Sequence, residues 1–191
     1  MTIYPNWFVG RQNNFQLYLS SFADKPNLRF LQLGVFTGDA SVWMLDNILT
    51  DKSSILTDVD TWKGSDEAKH KAMDFTDVYN VYISKTKKYV PQRLYYRGTS
   101  ADYLMDSESK DYDFIYIDAD HTAAGVLDDA VMAWQHLKPG GIMAFDDYVW
   151  THENGSLYEP KSAIDFFCWA KQSELKIIET NEQLWVQKND N

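Results

Sequence analysis

Three aspartates carry the densest potential for chemistry in this chain: Asp118, after the apolar run Asp113-Phe-Ile-Tyr-Ile117, and the pair Asp146-Asp147, after Ile142-Met-Ala-Phe145. Both runs read as buried strands. As parallel neighbours they would bring the three side chains together at their carboxyl ends, where open α/β sheets take their ligands. Like charges packed so closely raise one another's pKa unless a cation neutralises them. A hard divalent ion with oxygen ligands meets that need, and Mg²⁺ suits a few carboxylates with retained waters. Cysteine and histidine at zinc-type spacing are absent from the sequence.

A second constellation lies upstream. Arg29-Phe-Leu-Gln-Leu33 reads as a buried strand that runs into Gly34-Val-Phe-Thr-Gly38, and Val42, Leu45 and Ile48 then share one helical face. Glycine at both ends of the turn permits positive φ and lets a ligand approach the main chain. Strand, glycine turn and helix N-terminus together make a nucleotide-type site. A dinucleotide fingerprint would need a glycine where Val35 stands. The next strand, Ser54 to Asp60, ends with Asp58 and Asp60, either of which could accept ribose hydroxyls. Asp60 is preferred because it follows an apolar residue.

The elements that must position these residues alternate. Strands are expected at Arg93–Arg97, Asp113–Asp118, Ile142–Phe145, Lys176–Thr180 and Leu184–Lys188, with helices after the glycine turn, from Val126 to Leu137, and from Lys161 to Ala170. That alternation, closed by a strand pair, argues for an α/β fold: a mostly parallel sheet with one antiparallel member. The length of 191 residues fits a single domain, 1–191, in which residues 1–28 form a helical segment over the site or the sheet. The start lacks a secretory pattern and no apolar run is long enough to span a membrane, so a cytoplasmic protein without a membrane partner is expected. A net charge of −10 opposes phosphate-backbone binding and favours a small-molecule acceptor over nucleic acid; a homo-oligomer is left open. Cys168, the one cysteine, sits in an apolar string as a buried, inert thiol. Asp128 and Asp129 are expected on a solvated helix face, and His70, His136 and His152 at the surface. Asp120 is expected to cap the helix that follows it or to reach the cation through water. Trp62, Tyr148, Trp150 and Tyr158 are expected at the site mouth, with Tyr4, Trp7 and Phe8 as further acceptor contacts.

Leu31-Gln-Leu-Gly-Val-Phe-Thr-Gly38 resembles the first motif of class I S-adenosylmethionine-dependent methyltransferases, with Gln32 in place of the usual acid. Asp60-Thr-Trp-Lys-Gly-Ser65 is similar to the corresponding turn in methyltransferase family 24. Gly98-Thr-Ser-Ala-Asp102 resembles the turn that meets the adenine edge in catechol O-methyltransferases, and Ser100 would serve equally as a helix N-cap. Tyr116-Ile-Asp-Ala-Asp-His121, Leu137-Lys-Pro-Gly-Gly-Ile142 and Phe145-Asp-Asp-Tyr148, in that order, resemble the metal-dependent O-methyltransferases of the catechol, caffeoyl-CoA and macrolide-sugar types. The resemblance implies a Rossmann-like class I methyltransferase fold with a seven-stranded sheet and helices on both faces. It implies S-adenosylmethionine on Gly34, Gly38, Asp60, Thr99, Ser100 and Asp118, and Mg²⁺ on Asp118, Asp146 and Asp147. His121 stands where the catechol and caffeoyl-CoA types carry a lysine base, which implies a catalytic role in deprotonating an acceptor hydroxyl. The function expected is Mg²⁺-dependent O-methylation of a small molecule. The alternatives are a metal-independent methyltransferase of the same fold and a non-catalytic cofactor-binding protein.

Overall fold

The computed structural model describes residues 4–65, 68–106, 111–151, 155 and 158–190. Its strands are β1 (Arg29–Leu33), β2 (Ile55–Asp60), β3 (Arg93–Arg97), β4 (Tyr112–Ile117), β5 (Leu137–Phe145), β6 (Leu175–Thr180) and β7 (Leu184–Lys188). They form one seven-stranded sheet in the order β3-β2-β1-β4-β5-β7-β6. The first five are parallel, and β7 runs antiparallel to both β5 and β6. Helices α1 (Gln12–Leu19), α2 (Asp39–Asn47), α3 (Ala68–Lys71), α4 (Phe75–Thr86), α5 (Ser100–Asp106), α6 (Ala123–Trp134) and α7 (Pro160–Ala170) surround it.

The central strands are apolar on both faces because both faces are covered. Leu31, Leu33, Ile115, Ile117, Met143 and Phe145 pack with Val126, Ala130, Trp134, Ile164 and Phe167 of α6 and α7. The alternate residues Phe30, Phe114, Tyr116, Ile142 and Ala144 pack with Phe15 and Leu19 of α1 and Met44 and Leu45 of α2. β1 therefore lies between β2 and β4, and its carboxyl end opens at the point where the chain order reverses, the crevice where such sheets bind ligands.

Two boundaries differ from the sequence reading. α6 stops at Trp134, and β5 begins at Leu137 rather than Ile142, so Lys138-Pro-Gly-Gly141 belongs to the strand. A register shift between Tyr112 and Phe114 absorbs those extra residues. The amino-terminal helix begins at Gln12, and its Phe15 is wholly buried. The Phe15 ring meets Phe8, Trp43, Phe114, Tyr116 and Trp185 edge-on, with centroids 4.8–6.0 Å apart. That cluster fastens α1, and the turn before it, to the sheet. Phe15→Ala is expected to cost about 3–5 kcal/mol of unfolding free energy, checked by urea denaturation followed through tryptophan fluorescence.

Candidate active site

The glycine turn is held from beneath by a buried polar network. Gln32 Nε2 donates to the Gly34 carbonyl at 2.9 Å, and the Ser41 hydroxyl reaches Gln32 Oε1 at 3.2 Å and Asp58 Oδ1 at 3.0 Å. Tyr82 donates its hydroxyl to Asp58 Oδ2 at 2.9 Å. Burial pushes the Asp58 carboxyl up to about 7, against the donors from Tyr82 and Ser41. Asp58 is thus a fully buried brace, and Asp60 is the acid at the rim. Asp60 Oδ2 accepts the Val35 and Phe36 N–H groups at 2.7 and 2.9 Å, and its Oδ1 accepts that of Trp62 at 2.6 Å. Gly34 has φ +82°, and a Cβ there would lie 1.8 Å from the Asp118 carbonyl oxygen. Only glycine lets the end of β1 close against the end of β4.

At the end of β3, Thr99 rather than Ser100 caps α5: its hydroxyl accepts the Asp102 N–H at 3.1 Å and donates to the Asp102 carboxylate at 2.7 Å. Ser100 instead donates to Asp129 Oδ2 at 3.3 Å. Asp129 is therefore buried, not solvated, and burial pushes its carboxyl up to about 7. His136 is buried as well, after α6, where its carbonyl accepts the Tyr112 N–H. His152 lies outside the described residues. Asp120 Oδ1 accepts the Thr122 N–H at 2.8 Å, and Thr122 in turn caps α6. Cys168 is buried, with its thiol pushed up to about 11.

The acids at the ends of β4 and β5 divide into two sets. His121 Nε2 lies 3.1 Å from Asp147 Oδ2 and 3.6 Å from Asp118 Oδ1. Ligand atoms of Asp118, His121 and Asp147 all fall within 4.8 Å of one another. Asp147 has φ +53°, a left-handed conformation that Asp tolerates better than most residues. Asp146 is directed elsewhere: its Oδ1 accepts Arg11 Nε at 2.8 Å and Gln183 Nε2 at 2.9 Å. Arg11 further meets Glu182, and its Nη2 lies 3.7 Å from Asp147 Oδ1. Burial, then the charge of Asp146, push the Asp118 carboxyl above its ordinary range. Two carboxylates and an imidazole within reach of one another form a donor set that fits a divalent cation, so the residues present suit a metal. Arg11 and Gln183, and Glu182 behind Arg11, escape sequence reasoning, because only the fold brings them to Asp146.

The aromatic residues expected at the mouth divide too. Trp62 and Tyr148 are core residues, and so is Phe8. Trp150 stands beside His121, centroids 5.6 Å apart. Trp7 is 44% exposed and stacks on Phe36 of the glycine turn at 4.5 Å. The Tyr4 hydroxyl donates to Asp77 Oδ2 at 3.0 Å, and Tyr158 is exposed.

The sequence model of the methyltransferase domain family numbered 24 matches residues 31–148, from the middle of β1 past the paired acids. The chain belongs to that family. This methyltransferase chain is also 23% identical over 130 residues to the uncharacterized protein R132 of Acanthamoeba polyphaga mimivirus, a match covering 68% of the chain. The chain spans 56% of the length of that relative. Among solved structures it is similar to the Bacillus cereus O-methyltransferase in complex with SAH (TM-score 0.59, 15% identity, 98% of this chain and 94% of that one). It is similar also to TomG from Streptomyces achromogenes, an O-methyltransferase involved in tomaymycin synthesis solved with SAM (TM-score 0.63, 12% identity, 99% and 92%). Those two likenesses bear on the Rossmann-like fold of the methyltransferase. No helix among its described residues is long and apolar enough to cross a membrane.

Asp129 gives a pH signature. Its raised pKa means that the folded chain holds a proton there which the unfolded chain releases between about pH 4 and pH 7. Its contribution to stability is complete below about pH 4 and is lost as the pH rises towards 7. Asp129→Asn cannot titrate, so the decline of unfolding free energy over that window should become shallower by up to about 1.4 kcal/mol per pH unit. Urea denaturation at several pH values measures the slope, and an unchanged slope would place the proton elsewhere.

Proposed function

We propose that this methyltransferase transfers the methyl group of S-adenosylmethionine to a hydroxyl oxygen of a small-molecule acceptor, assisted by a divalent cation such as Mg²⁺. The observation that carries the reading is the contact between its two halves. Asp118, which offers a carboxylate to the metal-type cluster, packs its carbonyl oxygen onto Gly34 of the cofactor-type turn. A cofactor on the turn and an acceptor at the cluster would then be adjacent.

The chain's own residues have distinct tasks in this reading. Asp60 holds the turn rigid through three backbone N–H groups, and its carboxylate stays at the rim, where ribose hydroxyls would need an acceptor. Gly34, Gly38 and the end of β3 at Thr99 and Ser100 shape the rest of the cofactor's seat. Asp118, His121 and Asp147 would hold the cation. When bound, S-adenosylmethionine supplies the electrophilic methyl group, and the cation supplies the charge that lowers the acceptor hydroxyl's pKa. We assign His121 to the cation, because its Nε2 faces Asp147 and Asp118, and the proton that the acceptor hydroxyl gives up as its oxygen takes the methyl group would then pass to solvent water at the crevice. Trp150 beside it and Trp7 over Phe36 would flank the acceptor. Positioning of the hydroxyl in line with the methyl group, with charge neutralisation, would provide most of the rate in such a site.

Arg11 favours a second reading. A guanidinium already stands on the acid pair, and it could neutralise those charges without a metal while the acids orient the acceptor. Calorimetric titration with S-adenosylmethionine, run with Mg²⁺ and after EDTA, together with a methyl-transfer screen over vicinal diols, separates the two. The metal-assisted reading expects cofactor binding in both conditions, transfer abolished by EDTA, and at least about a hundredfold loss in Asp147→Ala. Transfer that survives EDTA would select the metal-independent enzyme. Absence of cofactor binding would remove both.

A further inference from the structure

We propose that Arg11 sets the identity of the metal by withdrawing Asp146 from its ligands. The proposal rests on the reading of Asp118, His121 and Asp147 as a metal centre. The three acids at the ends of β4 and β5 are adjacent in the fold, yet only two of them share a focus. Asp146 is already engaged by the protein itself: Arg11 Nε and Gln183 Nε2 both bond its Oδ1, and it lies outside the group formed by Asp118, His121 and Asp147. Gln183 is fixed in turn, since Asn14 Nδ2 and Trp185 Nε1 both donate to its Oε1, at 2.9 and 3.1 Å. Asn14 and Arg11 both belong to the amino-terminal segment, so one short stretch supplies the guanidinium and braces its partner.

What remains is a set of two carboxylates and one imidazole. Mg²⁺ demands oxygen ligands, whereas imidazole nitrogen is a good ligand for the first-row transition ions. A site in which His121 replaces Asp146 therefore prefers Mn²⁺, or a similar imidazole-binding divalent ion, to Mg²⁺. The positive charge of Arg11, 3.7 Å from Asp147 Oδ1, opposes capture of either dication by charge alone, so the choice between them is left to the ligand set. Arg11 is a positioning residue here: it touches the acids, and the metal senses it through them.

The test is calorimetric titration of the purified protein with MnCl₂ and with MgCl₂, without acceptor, on the wild type, Arg11→Met, Asp146→Asn and Asp147→Asn. The wild type is expected to bind Mn²⁺ at least about tenfold more tightly than Mg²⁺. Arg11→Met frees a third carboxylate and removes a competing charge, so Mg²⁺ should bind about tenfold or more tightly than in the wild type, and the Mn²⁺ preference should shrink. Should Arg11→Met fail to fold, Asp146→Asn decides the matter: it should keep Mn²⁺ affinity within about tenfold, while Asp147→Asn loses more than about a hundredfold. The proposal is overturned if Arg11→Met weakens Mg²⁺ or leaves it unchanged, or if Asp146→Asn loses Mn²⁺ as completely as Asp147→Asn. Binding of neither ion by any variant overturns the metal centre with it, and a parallel titration with S-adenosylmethionine then shows whether the cofactor half of the reading stands.

Discussion

Mutual repulsion among acids gathered at one end of a sheet is the constraint on which this structure turns. The parallel pairing of β4 with β5 brings Asp118, Asp146 and Asp147 to one end of the sheet, and Arg11 links Glu182, on the short β6–β7 turn, to that group. Separate charges in a half-buried site are costly unless something positive stands among them. Arg11 answers part of that need, at the cost of ordering an amino-terminal segment that has no strand of its own. Phe15, packed edge-on against Phe114, Tyr116 and Trp185, offsets that cost by burying a large aromatic surface four residues further on. The electrostatics of the site and the hydrophobic anchoring of α1 are therefore one problem solved by one short stretch of chain.

The same economy governs the glycine turn. Methyltransferases resembling this chain place an acid where Gln32 stands, and a neutral amide there changes what the residue can do. An amide both donates and accepts, so Gln32 ties the Gly34 carbonyl above it to Ser41 beside it. Through Ser41 the tie extends to Asp58, whose carboxyl burial pushes up to about 7. An acid at position 32 would have set a second carboxylate near the buried Asp58, a repulsion that glutamine avoids. The turn is thereby built from inside the protein, leaving its outer rim to Asp60.

Strand content was legible because the apolar signal is strong where burial is complete: Phe114, Ile115, Tyr116 and Ile117 are apolar without alternation, as a strand covered on both faces must be. The glycine turn and the paired acids were legible for a different reason, since glycine spacing and adjacent aspartates are local patterns. What local pattern cannot carry is the direction of a side chain. Asp146 and Asp147 are neighbours in sequence, and the left-handed backbone at Asp147 sends one toward His121 while the other bonds Arg11. Asp129 reads as part of a solvated pair with Asp128, and only the packing of α5 against α6 shows that Ser100 and burial claim it. Trp62 and Tyr148 fall in polar segments, yet both turn inward, where Trp62 Nε1 donates to the Phe36 carbonyl and the Tyr148 hydroxyl to Asp165.

The amino-terminal segment joins both halves of the site. Trp7 stacks on Phe36 of the glycine turn, and four residues later Arg11 reaches the paired acids. Phe36 has φ +52°, a strained conformation for an aromatic residue. Two bonds oppose that strain: Asp60 accepts the Phe36 N–H, and Trp62 Nε1 donates to the Phe36 carbonyl at 2.9 Å. Displacing the segment would therefore expose the Phe36 ring and release the guanidinium from Asp146 in one movement. A stretch outside the family match at 31–148 thus touches the two parts of that match that face the crevice. In a fold shared by many methyltransferases, such a stretch is where one chain can differ from another without disturbing the sheet.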